Sequence, residues 1–209
     1  MVTKKHHIFL AAFFLLLIVA CATTKPQIAF DRGSAQPGTQ VNFRGKPLKL
    51  LGEPISVGKP LPSVELLDTL TMKEIDLSKE RGSVLFLSIV PSLDTSVCET
   101  QTHYLGEEGN KLPKRVRRIV ISRDTPFAQK RFSTEAKLGH LQYLSDYKQG
   151  DFGRATGLLT EGLMLLARSV VIVDKKGIVQ YIQVVPEIGH LPDMEKAFEK
   201  ANELAKEKE

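Results

Sequence analysis

Cysteine is scarce in this chain, with two in 209 residues, at positions 21 and 98. There is no Cys-x-x-Cys pair, which excludes dithiol exchange and a carrier built on paired cysteines. His103, His140 and His190 stand alone, lack the spacing of metal ligands, and read as surface residues. No metal or cofactor is expected. The chain also lacks a long apolar run: residues 8–20 form an unbroken one of 13 residues, short of the roughly 20 that a spanning helix needs. Charge is nearly balanced, 29 basic against 24 acidic side chains for a formal +5. A basic cluster at Lys111, Lys114, Arg115, Arg117 and Arg118 is not interleaved with aromatics, so nucleic-acid binding has no support. The cluster reads better as a solvated loop before a strand than as a patch for anionic lipid or polymer.

What is present begins with a leader. Lys4 and Lys5 precede the apolar run, as in the n- and h-regions of a signal peptide. Ile18-Val19-Ala20-Cys21 closes it and resembles the lipobox of bacterial lipoproteins; the alternative is an ordinary cleaved signal. The resemblance implies that residues 1–20 are removed and that Cys21 becomes the lipidated first residue. It also implies a chain lipid-anchored in the bacterial envelope, on the periplasmic side of a membrane or on the outer surface of a single-membrane cell. Ala22 after the cysteine favours the outer membrane where there are two. Loss of Lys4 and Lys5 lowers the formal charge by two, to +3. Residues 21–40 are rich in Thr, Pro, Gly, Ser and Gln and read as a flexible tether, with a reach on the order of 25 Å. The Ile28-Ala29-Phe30 patch leaves open an ordered extension lying on the domain.

Residues 41–207 fit one domain by length. Apolar stretches at 41–43 and 48–50 flank Arg44-Gly45-Lys46-Pro47 and suggest an N-terminal hairpin. The run 84–90 reads as a central strand buried on both faces, followed by a helix starting near Ser96 or Val97 and running to about Tyr104. Residues 118–122 form a second strand, and Asp124 or Thr125 caps a helix with Pro126 in its first turn. Short strands are expected at 141–144 and 169–173; Asp174-Lys175-Lys176-Gly177 turns the chain back through 178–184. Met194, Ala197, Phe198, Ala201 and Leu204 give a C-terminal helix. The order predicts an α/β domain with a mixed central sheet and helices on both faces. Ligands of such sheets bind near the carboxyl ends of central strands, where Cys98 falls.

If Cys21 carries lipid, Cys98 is the one free thiol of an exported chain. A cysteine at a helix start is a candidate nucleophile, because the helix N-terminus favours the thiolate. Pro91 ends the strand and stiffens the loop. The Thr95 hydroxyl, three residues before Cys98, can reach the sulfur or a small oxygen-rich substrate on it. The first-turn amides of Val97 and Cys98 can hold a polarised oxygen. The blander readings are Cys98 as a small buried hydrophobe, Thr95 as a helix cap and Arg168 as one side of an ion pair at a strand end; of these, the ion pair is favoured for Arg168. Glu99 reads as a first-turn acid complementing the helix dipole.

Pro91-x-x-x-Thr95-x-x-Cys98 resembles the active-site motif of peroxiredoxins. The longer Pro91-Ser92-Leu93-Asp94-Thr95-Ser96-Val97-Cys98 is similar to that of the bacterial thiol peroxidases, an atypical two-cysteine subfamily. Asp124-Thr125-Pro126-Phe127-Ala128-Gln129-Lys130-Arg131-Phe132, the arginine-bearing 165–174 and the N-terminal hairpin resemble the same subfamily. The resemblance implies a thioredoxin-like fold and assigns Cys98 as the nucleophile toward peroxide, Thr95 as its orienter, Arg168 as stabiliser of thiolate and leaving oxygen, and Pro91 as shield. It also implies a peroxide substrate, a thiol reductant and often a homodimer. In one respect the chain departs from the pattern: where the subfamily usually places its resolving cysteine, after Arg131-Phe132, this chain has Ser133. A one-cysteine cycle follows, with an external thiol or an exported thioredoxin-like protein as donor. The rival reading is a degenerate member acting as a tethered binding or holdase module.

Overall fold

The strand run that begins at Val84 supplies the spine of the domain. In the computed structural model, which describes residues 28–207, the elements follow in this order: β1 (Gln40–Phe43), β2 (Lys46–Leu51), β3 (Glu65–Asp68), β4 (Glu74–Asp76), β5 (Val84–Ile89), α1 (Ser96–Glu107), β6 (Val116–Ser122), α2 (Pro126–Glu135), β7 (Gln142–Ser145), α3 (Asp151–Thr156), β8 (Leu159–Thr160), β9 (Ser169–Val173), β10 (Val179–Val184) and α4 (Met194–Lys206). Seven strands form one sheet in the order β10-β9-β5-β6-β7-β3-β4. β5, β6 and β7 run parallel, and the remaining pairs are antiparallel, so the sheet is mixed as expected. A second sheet, β1-β2-β8, carries the N-terminal hairpin.

Alternation along β5 assigns the two faces. Val84, Phe86 and Val90 pack with Cys98 and Leu105 of α1 and with Ala197, Phe198 and Ala201 of α4. Leu85, Leu87 and Ile89 pack on the other side with Val41 and Leu50 of the hairpin and Phe152 of α3. Every residue of β5 is buried, which is why the run is apolar at every position but Ser88 rather than alternating. Helices do lie on both faces, but the second is covered chiefly by the small sheet and the six-residue α3.

The N-terminal extension differs from the tether expected over 21–40. Residues 28–40 lie on the domain: Phe30 bridges Leu191, Ala35 bridges Val184, and the Gln183 side-chain amide donates to the carbonyls of Asp31 and Gly33 at 2.7 and 3.0 Å. Main-chain hydrogen bonds hold this segment, and composition does not reveal them. The leader and Cys21 lie outside the described residues.

Candidate active site

β5 and β6 end side by side, and their carboxyl ends carry the site. After Ile89 the buried Pro91 stops the strand, and a short loop leads into α1. Asp124, just beyond β6, holds that loop. Its carboxylate accepts from the Ser92 hydroxyl, the Leu93 amide and the Ser122 hydroxyl, each at 2.7 Å. The loop between strand and nucleophile is thus tied to the neighbouring parallel strand.

Thr95 occupies the N-cap position with extended backbone, and its carbonyl accepts the Glu99 amide at 2.9 Å. Its hydroxyl donates to the Ser92 carbonyl at 3.1 Å and makes no side-chain cap bond. The structure therefore turns this hydroxyl into the loop and does not place it on the sulfur. No side chain caps the first turn of α1, so the amides of Val97 and Cys98 keep the free donors that a helix start provides. Glu99 is exposed and faces His103 one turn on, at 3.9 Å, along the outer side of the helix.

Cys98 has no exposed surface and packs among the apolar residues of one face, as a small buried hydrophobe would. Its polar neighbour sets it apart. Arg168, immediately before β9, is only 2 % exposed and places Nη2 3.3 Å from Cys98 Sγ. Nη1 donates to Gln101 Oε1 at 2.8 Å and Nε to the Ile188 carbonyl at 2.8 Å. None of these partners is a carboxylate, which corrects the reading of Arg168 as half of an ion pair. A guanidinium stays charged in a protein, and a buried charge needs a counter-charge. Among its partners the sulfur is the one nucleophilic atom, beside two neutral carbonyl-type oxygens. Gln101 in turn donates to Ser88 Oγ at 2.9 Å, so the fork of Arg168 is held on three sides by fixed acceptors.

Gln101, Ser88 and Asp124 escaped the sequence reading as parts of the site. Gln101 carried a signal, lying three residues after Cys98 on the same face of one helix. Ser88 is the lone polar residue in the run of β5. Asp124 was a candidate cap, but Thr125 takes that role, its hydroxyl accepting the Ala128 amide at 3.3 Å. Ser133, on α2, donates to the Lys130 carbonyl at 2.9 Å.

The chain is similar to known proteins over most of its length. The Redoxin family matches residues 56–200. The thiol peroxidase of Listeria innocua is 40 % identical over 163 residues, covering 78 % of this chain and 98 % of that protein. That of Bacillus subtilis is 38 % identical over 167 residues, covering 80 % and 99 %. Among solved structures, a peroxiredoxin-like protein from Aquifex aeolicus superposes with a TM-score of 0.75 at 34 % identity, covering 82 % of this chain and 99 % of that one. A thiol peroxidase from Chromobacterium violaceum, at 19 % identity and a TM-score of 0.66, shares the fold. The fold is thioredoxin-like, of peroxiredoxin type, and the chain belongs to the redoxin family, among the bacterial thiol peroxidases.

Proposed function

We propose that this thiol peroxidase reduces hydrogen peroxide and organic hydroperoxides through a sulfenic acid on Cys98, by a one-cysteine cycle, at the surface of a bacterial membrane. The observation that carries the reading is the buried guanidinium of Arg168 on the Cys98 sulfur, with no carboxylate among its partners in the described residues. The thiolate attacks one peroxide oxygen. The S–O bond forms as the O–O bond breaks, and the electron pair leaves on the distal oxygen, which takes up a proton and departs as water or alcohol. In this scheme Arg168 stabilises the thiolate before the step and the leaving oxygen during it. The free first-turn amides of α1 offer further donors. Thr95 orients the peroxide in this scheme once its hydroxyl leaves the Ser92 carbonyl, and Pro91 shields the sulfur.

With Ser133 where relatives usually carry a resolving thiol, the sulfenic acid is reduced from outside. One donor thiol forms a mixed disulfide with Cys98 and releases water. A second thiol displaces Cys98 and leaves as the donor disulfide, so two thiols are consumed per peroxide. The lipid on Cys21 holds the enzyme in the envelope, where its donor is a small thiol or an exported thioredoxin-like protein. A homodimer is the expected assembly, measurable by analytical ultracentrifugation.

The test is peroxide consumption by the full-length protein with a small thiol as donor. Two thiols oxidised per peroxide, a Cys98 mixed disulfide trapped at limiting donor, and loss of both in Cys98→Ser are expected. Activity surviving Cys98→Ser would refute the assignment. No turnover in the wild type, with client binding unchanged by Cys98→Ser, would favour the binding-module reading. Failure of Cys21→Ser to release the protein from membranes would remove the lipid anchor.

A further inference from the structure

The N-terminal hairpin lies on the far side of the sheet from α1, yet a continuous set of hydrogen bonds joins it to the nucleophile. Arg44 and Gly45 form the two-residue turn between β1 and β2, with φ of 52° and 73°. Both are left-handed, the pattern of a type I′ turn. The two turn amides are taken by one side chain: Glu187 Oε1 accepts from Arg44 at 3.0 Å and Oε2 from Gly45 at 2.9 Å. On either side of Glu187 the backbones are also joined, the Asn42 amide donating to the Pro186 carbonyl at 2.6 Å and the Ile188 amide to the Asn42 carbonyl at 2.9 Å. Ile188 then presents its own carbonyl to Arg168 Nε at 2.8 Å.

This segment follows β10 and lies outside its ladder, whose register ends at Val184. The hairpin is therefore a principal anchor for the carbonyl that holds the inner edge of the guanidinium. Burial alone would push the Glu187 carboxyl up, but the amides of Gly45, Arg44 and Gly189 and the nearby His190 more than offset it, so the group sits below its ordinary value. It is thus ionised at neutral pH, as a clamp on two amides requires.

We propose that Glu187 is a positioning residue for the peroxidase reaction: by clamping the hairpin turn it fixes the Ile188 carbonyl, and through it the aim of Arg168 at Cys98. Glu187 touches neither peroxide nor sulfur. The inference rests on the role given above to Cys98 and Arg168.

The experiment measures, per folded molecule of full-length protein, the second-order rate of Cys98 sulfenic acid formation with hydrogen peroxide, alongside thermal stability. Glu187→Ala is expected to slow it about tenfold, the scale of a small misalignment of a catalytic group. Glu187→Gln keeps one acceptor for the two amides and is expected to recover to within about threefold of the wild type. Asp174→Ala serves as control. Asp174 accepts the Lys176 and Ile178 amides at 2.8 and 3.0 Å in the β9–β10 turn, at the opposite end of the sheet from Cys98. Its loss is expected to lower stability and leave the rate unchanged. Glu187→Asp, one methylene too short to hold both turn amides, stands in where the alanine variant does not fold and is expected to slow the rate as the alanine variant does; wild-type rates in whichever of the two folds would overturn the proposal. Absence of sulfenic acid in the wild type would instead refute the peroxidase site on which it stands.

Discussion

Two buried glutamines sit in matching places and do different things. Gln101 of α1 donates to Ser88 Oγ of β5 at 2.9 Å, and Gln129 of α2 donates to Ser122 Oγ of β6 at 2.9 Å. Each helix follows the strand it reaches back to, and the two strands are parallel neighbours. The difference lies in what each amide oxygen accepts. Gln129 takes the Thr69 hydroxyl, and its amide also reaches the Leu144 carbonyl at 3.0 Å, so every direct partner of Gln129 is neutral. Gln101 takes Arg168, and that cluster ends on a sulfur. The same strand–helix geometry serves as scaffold on one strand and as a charged site on the other. An amide that meets only neutral partners fixes a shape, whereas Gln101 holds a buried cation against a thiol.

The comparison can be broken most decisively at Arg168. Replacing it with alanine is expected to lower the peroxide rate by about 10²–10³, the cost of removing one donor that acts on developing charge, as read by stopped-flow with hydrogen peroxide. A fall no larger than that caused by a mild loss of stability would show that the two clusters are alike in kind. A sharper contrast comes from installing the missing carboxylate. Gln101→Glu would give Arg168 a partner that competes with the sulfur, and the rate should fall about tenfold (about 1.4 kcal/mol in barrier) with melting temperature held or raised. Gln129→Glu would set a carboxylate against the Leu144 carbonyl. That should cost about 1–3 kcal/mol of stability with the rate per folded molecule unchanged. Equal behaviour of the two variants in paired melts and kinetics would contradict the distinction.

Asp124 joins the clusters, since Ser122 serves Gln129 and Asp124 together while Asp124 holds the loop before Cys98. Asp124→Asn keeps one acceptor oxygen and turns donors toward donors, so a loss of about 1–2 kcal/mol in urea unfolding is expected, with a smaller rate effect than at Arg168. The smallest effect lies outside both clusters. Burial works to raise Asp76, but the Ser63 and Ser78 hydroxyls, the Ser78 amide and Lys79 outweigh it and hold the carboxyl at about 2. A depressed folded value means that this contribution is full above the ordinary carboxylate range and is lost as pH falls from about 4 toward 2. Melting temperatures of wild type and Asp76→Asn should converge over that window.

Much of the fold was legible because its strands announce themselves. β5, β9 and residues 119–121 of β6 are apolar and rich in β-branched residues, Thr125-Pro126 marks the start of α2, and Asp174 to Gly177 marks the β9–β10 turn. β3, β4 and α3 were not legible. Glu65-Leu66-Leu67-Asp68 is too short and mixed to show a period, and its turn carries Met72 at a φ of 56°. α3 has six residues between Gly150 and Gly157, less than two turns of pattern. At the site, Cys98, Thr95, Arg168 and Pro91 stand in local motifs, whereas the role of the Ile188 carbonyl depends on backbone geometry that no side chain reports. Thr95 shows the limit of motif spacing: three residues from the cysteine brings its hydroxyl near, yet the loop turns it to Ser92.

The most direct test is mass spectrometry of the full-length protein after one equivalent of hydrogen peroxide, with a sulfenic-acid trap present. Rapid, complete trapping at Cys98 that is lost in Arg168→Ala is the result this account predicts. An unmodified Cys98, or one that reacts no faster than a free thiol and is indifferent to Arg168, would contradict it.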